Sequence, residues 1–138
     1  MDHLLDTNAC IAIINGSPAP VRDRMRKTID SGARVFTSSI VLFELWYGVG
    51  KSARPQVNAQ RIGVFLSGPV SVLPFDDADA RAAGSIRSAL ELSGKPIGAY
   101  DLLIAGQAIA RELLLVTANL REFSRVKGLK WEDWARPL

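Results

Sequence analysis

His3-Leu4-Leu5-Asp6-Thr7-Asn8-Ala9-Cys10-Ile11-Ala12-Ile13-Ile14-Asn15 passes from a strand into a helix within three residues. His3-Leu4-Leu5 is a short run of strand type. Asp6, Thr7 and Asn8 carry the side-chain oxygens that cap helices, and Ala9 to Asn15 is an apolar helical stretch that Gly16-Ser17-Pro18 breaks. The same strand-then-helix unit recurs along the chain. Arg34-Val35-Phe36-Thr37 reads as a second strand, after which Ser38-Ser39 caps a helix from Ile40 to about Val49, closed by Gly50. Val70-Ser71-Val72-Leu73 is a third strand, and Asp76-Asp77 opens a helix to about Leu92. Leu113 to Val116 is a fourth strand and Leu129-Lys130-Trp131 a fifth candidate. Further helices are expected over Pro20 to Asp30, Pro55 to Leu66 and Asp101 to Glu112, with Ser93 to Gly98 as a loop. Strands alternating with helices imply an α/β fold of three layers, α/β/α, with a central parallel sheet of four or five strands. In open sheets of this kind, sites form outside the carboxyl ends of the strands.

The bulk composition agrees with one globular domain spanning residues 1–138. A chain of this size buries about two-thirds of its unfolded surface, so its core needs no disulfide or structural metal. It is 48% hydrophobic and 22% charged, far from a disordered composition. Its one cysteine, Cys10, lies in an apolar run and reads as a small buried side chain. An unpaired cysteine and the absence of a signal-peptide pattern lead us to expect a cytoplasmic protein. No apolar stretch reaches the roughly 18 residues of a membrane span. The formal net charge of +3 permits an acidic partner such as nucleic acid without demanding one.

Three carboxylates stand in unusual surroundings. Asp6 comes off Leu4-Leu5. Glu44 is embedded in Ile40-Val41-Leu42-Phe43-Glu44-Leu45-Trp46-Tyr47. Asp101 heads Leu102-Leu103-Ile104-Ala105. An ionised carboxylate amid apolar groups is costly unless something positive pairs with it, and no lysine or arginine adjoins any of the three in sequence. Each alone has a plain reading: Asp6 and Asp101 as helix caps, Glu44 as the polar side of an amphipathic helix. Together, all three fall where the carboxyl ends of the strands should lie, and a hard cation with oxygen ligands, such as Mg2+, answers their charge.

Four blocks of sequence resemble the motifs of PIN-domain nucleases. They are Leu4-Leu5-Asp6-Thr7-Asn8, Ser38-Ser39-Ile40-Val41-Leu42-Phe43-Glu44-Leu45-Trp46-Tyr47-Gly48, Gly94 to Ala105 with Ala99-Tyr100-Asp101 at its centre, and Val116 to Leu129 beginning Val116-Thr117-Ala118-Asn119. In order and coverage they are most similar to the VapC toxins of type II toxin–antitoxin systems. The resemblance implies a single PIN domain and a Mg2+-dependent endoribonuclease, with Mn2+ able to substitute. It implies that Asp6, Glu44 and Asp101 are catalytic and hold the metal. Thr7, Ser39, Asn119 and Glu122 are the expected supports, with the fourth acidic position open between Asn119 and Glu122. Among the basic residues, Lys95, Arg121 and Arg125 lie nearest the motifs and are the candidates for RNA phosphates. Arg22, Arg24, Arg26 and Lys27 form a further basic cluster. The resemblance also implies a homodimer, a VapB-type antitoxin as partner, contact through Ile40 to Leu66, and RNA as substrate, with the anticodon stem-loop of initiator tRNA the specific expectation.

Other chemistries fit less well. Gly50-Lys51-Ser52 lacks the glycine five positions earlier that a phosphate-binding loop requires, since Leu45 is there. One histidine and one cysteine do not build the usual zinc site, and no Gly-x-Ser-x-Gly supports a serine hydrolase. A non-cleaving PIN-like module that binds RNA or protein is the main alternative, and a small metal-dependent phosphatase a third. Asp76, Asp77 and Asp79 are expected to cap and charge a helix start, and Trp131 and Trp134 to pin the C-terminal segment.

Overall fold

The computed structural model describes residues 1–136. Five strands form: β1 (His3–Leu5), β2 (Val35–Ser38), β3 (Ser71–Leu73), β4 (Leu114–Val116) and β5 (Trp131–Glu132). They pair in one wholly parallel sheet in the order β3-β2-β1-β4-β5. The helices are α1 (Thr7–Asn15), α2 (Pro20–Asp30), α3 (Ser39–Lys51), α4 (Pro55–Leu66), α5 (Asp77–Leu92), α6 (Ala99–Ala110) and α7 (Leu120–Phe123). This is the expected α/β architecture. The central strands are apolar on both sides, because helices cover both faces of a parallel sheet: Leu4, Leu5, Leu115 and Val116 are all buried. No helix among the described residues is long and apolar enough to cross a membrane.

The strand order fixes where a site can form. From β1 the chain moves to β2 and β3 on one side, then returns to β4 and β5 on the other. The order in which successive strands are added therefore reverses between β1 and β4, and a crevice opens there at the carboxyl ends. The register sets Leu5 opposite Val116, and Val116 opposite Glu132. Asp6, Thr117 and Asp133 thus leave the sheet along one edge.

Several boundaries differ from expectation. α3 runs through Gly50 to Lys51; a helical glycine costs about 1 kcal/mol, which packing of the helix outweighs. Ser38, not Ser39, supplies the cap, its Oγ accepting from Ile40 N–H at 3.0 Å. α6 opens at Ala99 with Gly98 before it, so Asp101 sits inside the first turn and caps nothing. The short α7 was not anticipated, because its four residues carry too little periodicity to read. Asp76 does cap α5, in a reciprocal capping box with Asp79. Asp79, however, is fully buried and accepts from Arg111 and Gln107 as well. Trp134 is buried as expected, whereas Trp131 is exposed on the edge strand.

α5 and α6 are packed almost backbone to backbone. A Cβ added to Gly106 would stand 2.6 Å from the backbone N and Cβ of Ala83. That contact sets the height of α6 and hence of Asp101 at its start. Gly106→Ala is expected to destabilise the fold by roughly 1–3 kcal/mol through overpacking, measured as a lower midpoint in urea; an unchanged midpoint would show that the helices separate freely.

Candidate active site

Asp6 is the innermost acid. It is 4% exposed, and its Oδ1 accepts from Ala9 N–H at 2.8 Å, so it caps α1 while standing where the strand order reverses. The Thr117 hydroxyl also bonds its carboxylate. Burial pushes the Asp6 carboxyl up to about 6; the hydrogen bonds from Thr117 and Ala9 oppose the shift, and the charges of Glu44 and Asp133 add to it.

Asp101 faces the same region from the first turn of α6. Burial pushes it up to about 7, with its hydrogen bond to Glu122 and the negative charges of Glu122, Asp6 and Glu44 acting in the same direction. Glu122 moves the other way: its hydrogen bond with Asp101 chiefly holds it below its usual range. Asp101 and Glu122 therefore titrate as a pair, burial and neighbouring charge raising Asp101 while their contact lowers Glu122. Asn119 bridges them, its Nδ2 donating to Asp101 Oδ2 at 3.1 Å and to Glu122 Oε2 at 3.2 Å. Gly98 N–H donates to Glu122 Oε1 at 3.2 Å. Asn119 N–H in turn donates to Thr117 Oγ1 at 3.0 Å. One hydrogen-bonded path thus runs from Asp6 through Thr117 and Asn119 to Asp101 and Glu122.

Glu44 completes the group from α3. Its Oε1 accepts from the Thr7 hydroxyl at 2.7 Å, which links it to the helix that Asp6 caps. Of the expected supports, Thr7, Asn119 and Glu122 come to the acids. Ser39 does not: its Oγ accepts from Phe75 N–H at 3.1 Å and ties α3 to the segment after β3. Asn119 and Glu122, the two candidates for the fourth position, contact each other and Asp101.

Two contributors were not foreseen. Thr117 lies in a quoted motif, yet a single threonine after a strand gives no hint of its contact. Asp133 follows β5 as Asp6 follows β1, and its charge reaches Asp6. The signal was the shared position of both acids at strand ends, obscured by the shortness of β5.

The basic residues divide by their contacts. Lys95 and Arg121 are exposed. Arg125 is partly committed, its Nη1 donating to Pro96 O at 2.8 Å and pinning the loop before α6 to the segment after α7. Arg22 binds the carbonyls of Ile13 and Ile14 at the end of α1. Arg24 pairs with Glu132, and Arg26 with Asp23. The cluster on α2 is therefore largely structural.

Among the described residues, no lysine or arginine forms an ion pair with Asp6, Glu44, Asp101 or Glu122. Nor do three His, Cys, Asp or Glu side chains there stand close enough to ligate one ion together. The donor set is all oxygen, and carboxyls raised chiefly by burial, with neighbouring negative charge adding to it, fit a hard cation. Mg2+ characteristically takes one or two carboxylates and keeps several waters.

Comparison with known proteins gives a consistent result. The PIN domain family matches residues 3–129. The tRNA(fMet)-specific endonuclease VapC of Shigella flexneri is 45% identical over 98% of this chain and 99% of its own length. The structure of VapBC2 from Rickettsia felis bound to a promoter DNA fragment superposes with a TM-score of 0.90 at 37% identity, covering 97% of this chain and 99% of that one. DNA-bound VapBC from Salmonella typhimurium superposes with a TM-score of 0.88 at 42% identity, covering 97% and 98%.

The raised carboxyls have a stability consequence. Asp6 and Asp101 have folded pKa values near 6 and 7, above the unfolded value, so the folded chain binds more protons. Their contribution is fully present below about pH 4 and is lost as pH rises through 6 to 7. Asp6→Asn keeps the cap but removes the charge. Without divalent metal, it is expected to gain stability over the parent by roughly 1–3 kcal/mol between pH 4 and 8. Thermal melts across that range test this; a pH-independent difference would contradict it.

Proposed function

The chain belongs to the PIN-domain family, and on that premise we propose that it is a metal-dependent endoribonuclease, the toxin of a type II toxin–antitoxin pair. The observation that carries this reading is the group of carboxylates where the strand order reverses, held by hydrogen bonds from Thr7, Ala9 and Asn119 and left without a cationic partner among the described residues. A module that only bound RNA would gain nothing from such charge, since phosphate is repelled by it.

Asp6 and Asp101 are the proposed direct ligands of Mg2+, for which Mn2+ can substitute, with Glu44 reaching it through water. Bound there, the cation would lower the pKa of a water and offset charge on the phosphoryl oxygens. The chain's own residues do the rest. Thr117 and Ala9 fix the Asp6 carboxylate. Thr7 holds Glu44, where it can orient a water or accept its proton. Asn119 holds Asp101 and Glu122 side by side, with Asp101 ionised when the cation is bound. A water nucleophile does not need the RNA 2′-hydroxyl, so 5′-phosphate and 3′-hydroxyl ends are expected. Lys95 and Arg121, both exposed, are the proposed phosphate contacts, with Arg125 contributing only what its bond to Pro96 leaves free.

The relative from Shigella flexneri is named for tRNA(fMet), which supports initiator tRNA, cut in its anticodon stem-loop, as the substrate proposed here. The VapBC complexes among the similar structures support a VapB-type antitoxin as partner. Phe43, Trp46 and Tyr47 on α3 and Val57 and Val64 on α4 are exposed, which favours this face for the homodimer or antitoxin contact. A single cytoplasmic domain over 1–138 completes the proposal.

The test is RNA cleavage by antitoxin-free protein with Mg2+, with chelator, and with restored metal. Cleavage should require the metal. Asp101→Asn should lose at least about 100-fold, and Asn119→Ala about 10- to 100-fold, as for residues that orient ligands. Both variants should remain folded by circular dichroism. Metal-independent cutting, or full activity in Asp101→Asn, would reject the mechanism. Intact initiator tRNA after brief expression in cells would reject that substrate alone.

A further inference from the structure

A cleft of about 230 Å3 opens beside Asp6, bounded by the first turns of α1, by Thr117 and Ala118 after β4, and by Asp133 after β5. It belongs to none of the roles assigned above. Its walls are mainly apolar, with Ile11, Val21 and Ala118 among them, and Asn8, Thr117 and Asp133 provide polar groups. It is smaller than the ~300 Å3 at which pockets for drug-sized ligands begin, and so suits a single ring system.

Charge narrows the occupant. Among the described residues no lysine or arginine lines the cleft, and the Asp133 carboxylate in its lining already accepts from Ala135 N–H at 2.9 Å and pairs with Arg136 at 3.4 Å. The cleft thus offers a phosphate no cationic contact, whereas its apolar walls suit a neutral planar group with hydrogen-bond donors on its edge. Position narrows it further. Ala9 and Thr117 line the cleft and are also the two residues that hold the Asp6 carboxylate. Whatever enters the cleft is therefore next to whatever sits at the acids. In a nucleotide, base and phosphate are separated by one ribose, which fits that juxtaposition. Sequence-specific RNA recognition commonly works in this way, with an unstacked base held by its face and read at its edge.

We propose that this cleft receives one unstacked nucleobase of the RNA substrate, adjoining the phosphate that is cut. The proposal rests on the ribonuclease reading above. Ile11, Val21 and Ala118 contact the faces of the base. Asn8 meets its edge, and the acceptor capacity that Ala135 and Arg136 leave free on Asp133 favours a base bearing an amino group, adenine, cytosine or guanine, over uracil. The cleft then selects which bond is cut, while the acids cut it.

Short single-stranded RNAs that the protein cleaves provide the test. Each base flanking the scissile bond is replaced in turn by an abasic residue, and kcat/KM is measured in Mg2+. One position should lose at least about fivefold, the lower range for a stacked base. Ala118→Trp, which fills the cleft, should slow cleavage of the intact RNA by a similar factor and leave the abasic RNA cleaved as by the parent. Asn8→Trp, at an exposed position, closes the cleft independently should the first variant fail to fold. No abasic penalty at any position, with the RNA still cut, would overturn the inference while leaving the ribonuclease reading intact. So would a penalty that survives both tryptophan variants and disappears in Phe43→Ala, since Phe43 and Tyr100 form an exposed ring pair 5.5 Å apart. Loss of antitoxin binding in the tryptophan variants with RNA cleavage unchanged would assign the cleft to the protein partner and overturn it too. Absence of any Mg2+-dependent cleavage is a different result, and it overturns the ribonuclease reading and this inference together.

Discussion

Negative charge gathered at one end of a parallel sheet, with no cation paired to it among the described residues, is the constraint on which the rest of this structure depends. Asp6 is almost wholly buried, and Asp101 is half-buried and faces Glu122. Removing carboxylates from water is costly, and placing them together costs more. The chain answers with hydrogen bonds instead of opposite charge. Ala9 and Thr117 serve Asp6, Thr7 serves Glu44, and Asn119 and Gly98 serve Asp101 and Glu122. Hydrogen bonds orient an anion without neutralising it, which leaves its affinity for a metal intact. An arginine in the same place would have stabilised the fold and closed the site.

That arrangement needs a rigid frame, because the donors come from three separate parts of the fold. Thr7 is on α1, Thr117 and Asn119 follow β4, and Gly98 precedes α6. The parallel pairing of β1 with β4 brings the first two together. The third depends on α6, whose position is set by the close approach of Gly106 to Ala83 and by the buried contacts of Asp79 with Gln107 and Arg111. Polar groups far from the acids thus serve the site by holding the helix that carries Asp101.

Positive charge is kept out of the acidic centre and put to other uses. Arg22 closes the end of α1, Arg111 answers Asp79, and Arg125 fastens the loop before α6. An RNA chain is therefore met by few free cations near the cut, which gives weight to apolar contact in the cleft beside Asp6. Backbone attraction and base selection would then arise on different parts of the surface.

Much of this was legible in the residues themselves. The alternation of short apolar strands with capped helices is local, so it specified the α/β layers and the strand ends where Asp6 lies. The apolar settings of Glu44 and Asp101 marked them as anomalies before any geometry was known. What tertiary structure alone decided was partnership. Ser39 and Asn119 are both small polar residues in motif-like settings, yet one turns to Phe75 and the other to the acids. Asp79 and Asp77 are neighbours on one helix, yet one is buried against Arg111 and the other is exposed. Asp133 becomes part of the site only because β5 pairs beside β4. Periodicity and capping act over a few residues and can be read along the chain. Contacts between residues far apart in sequence depend on strand order and helix height, which no local pattern encodes.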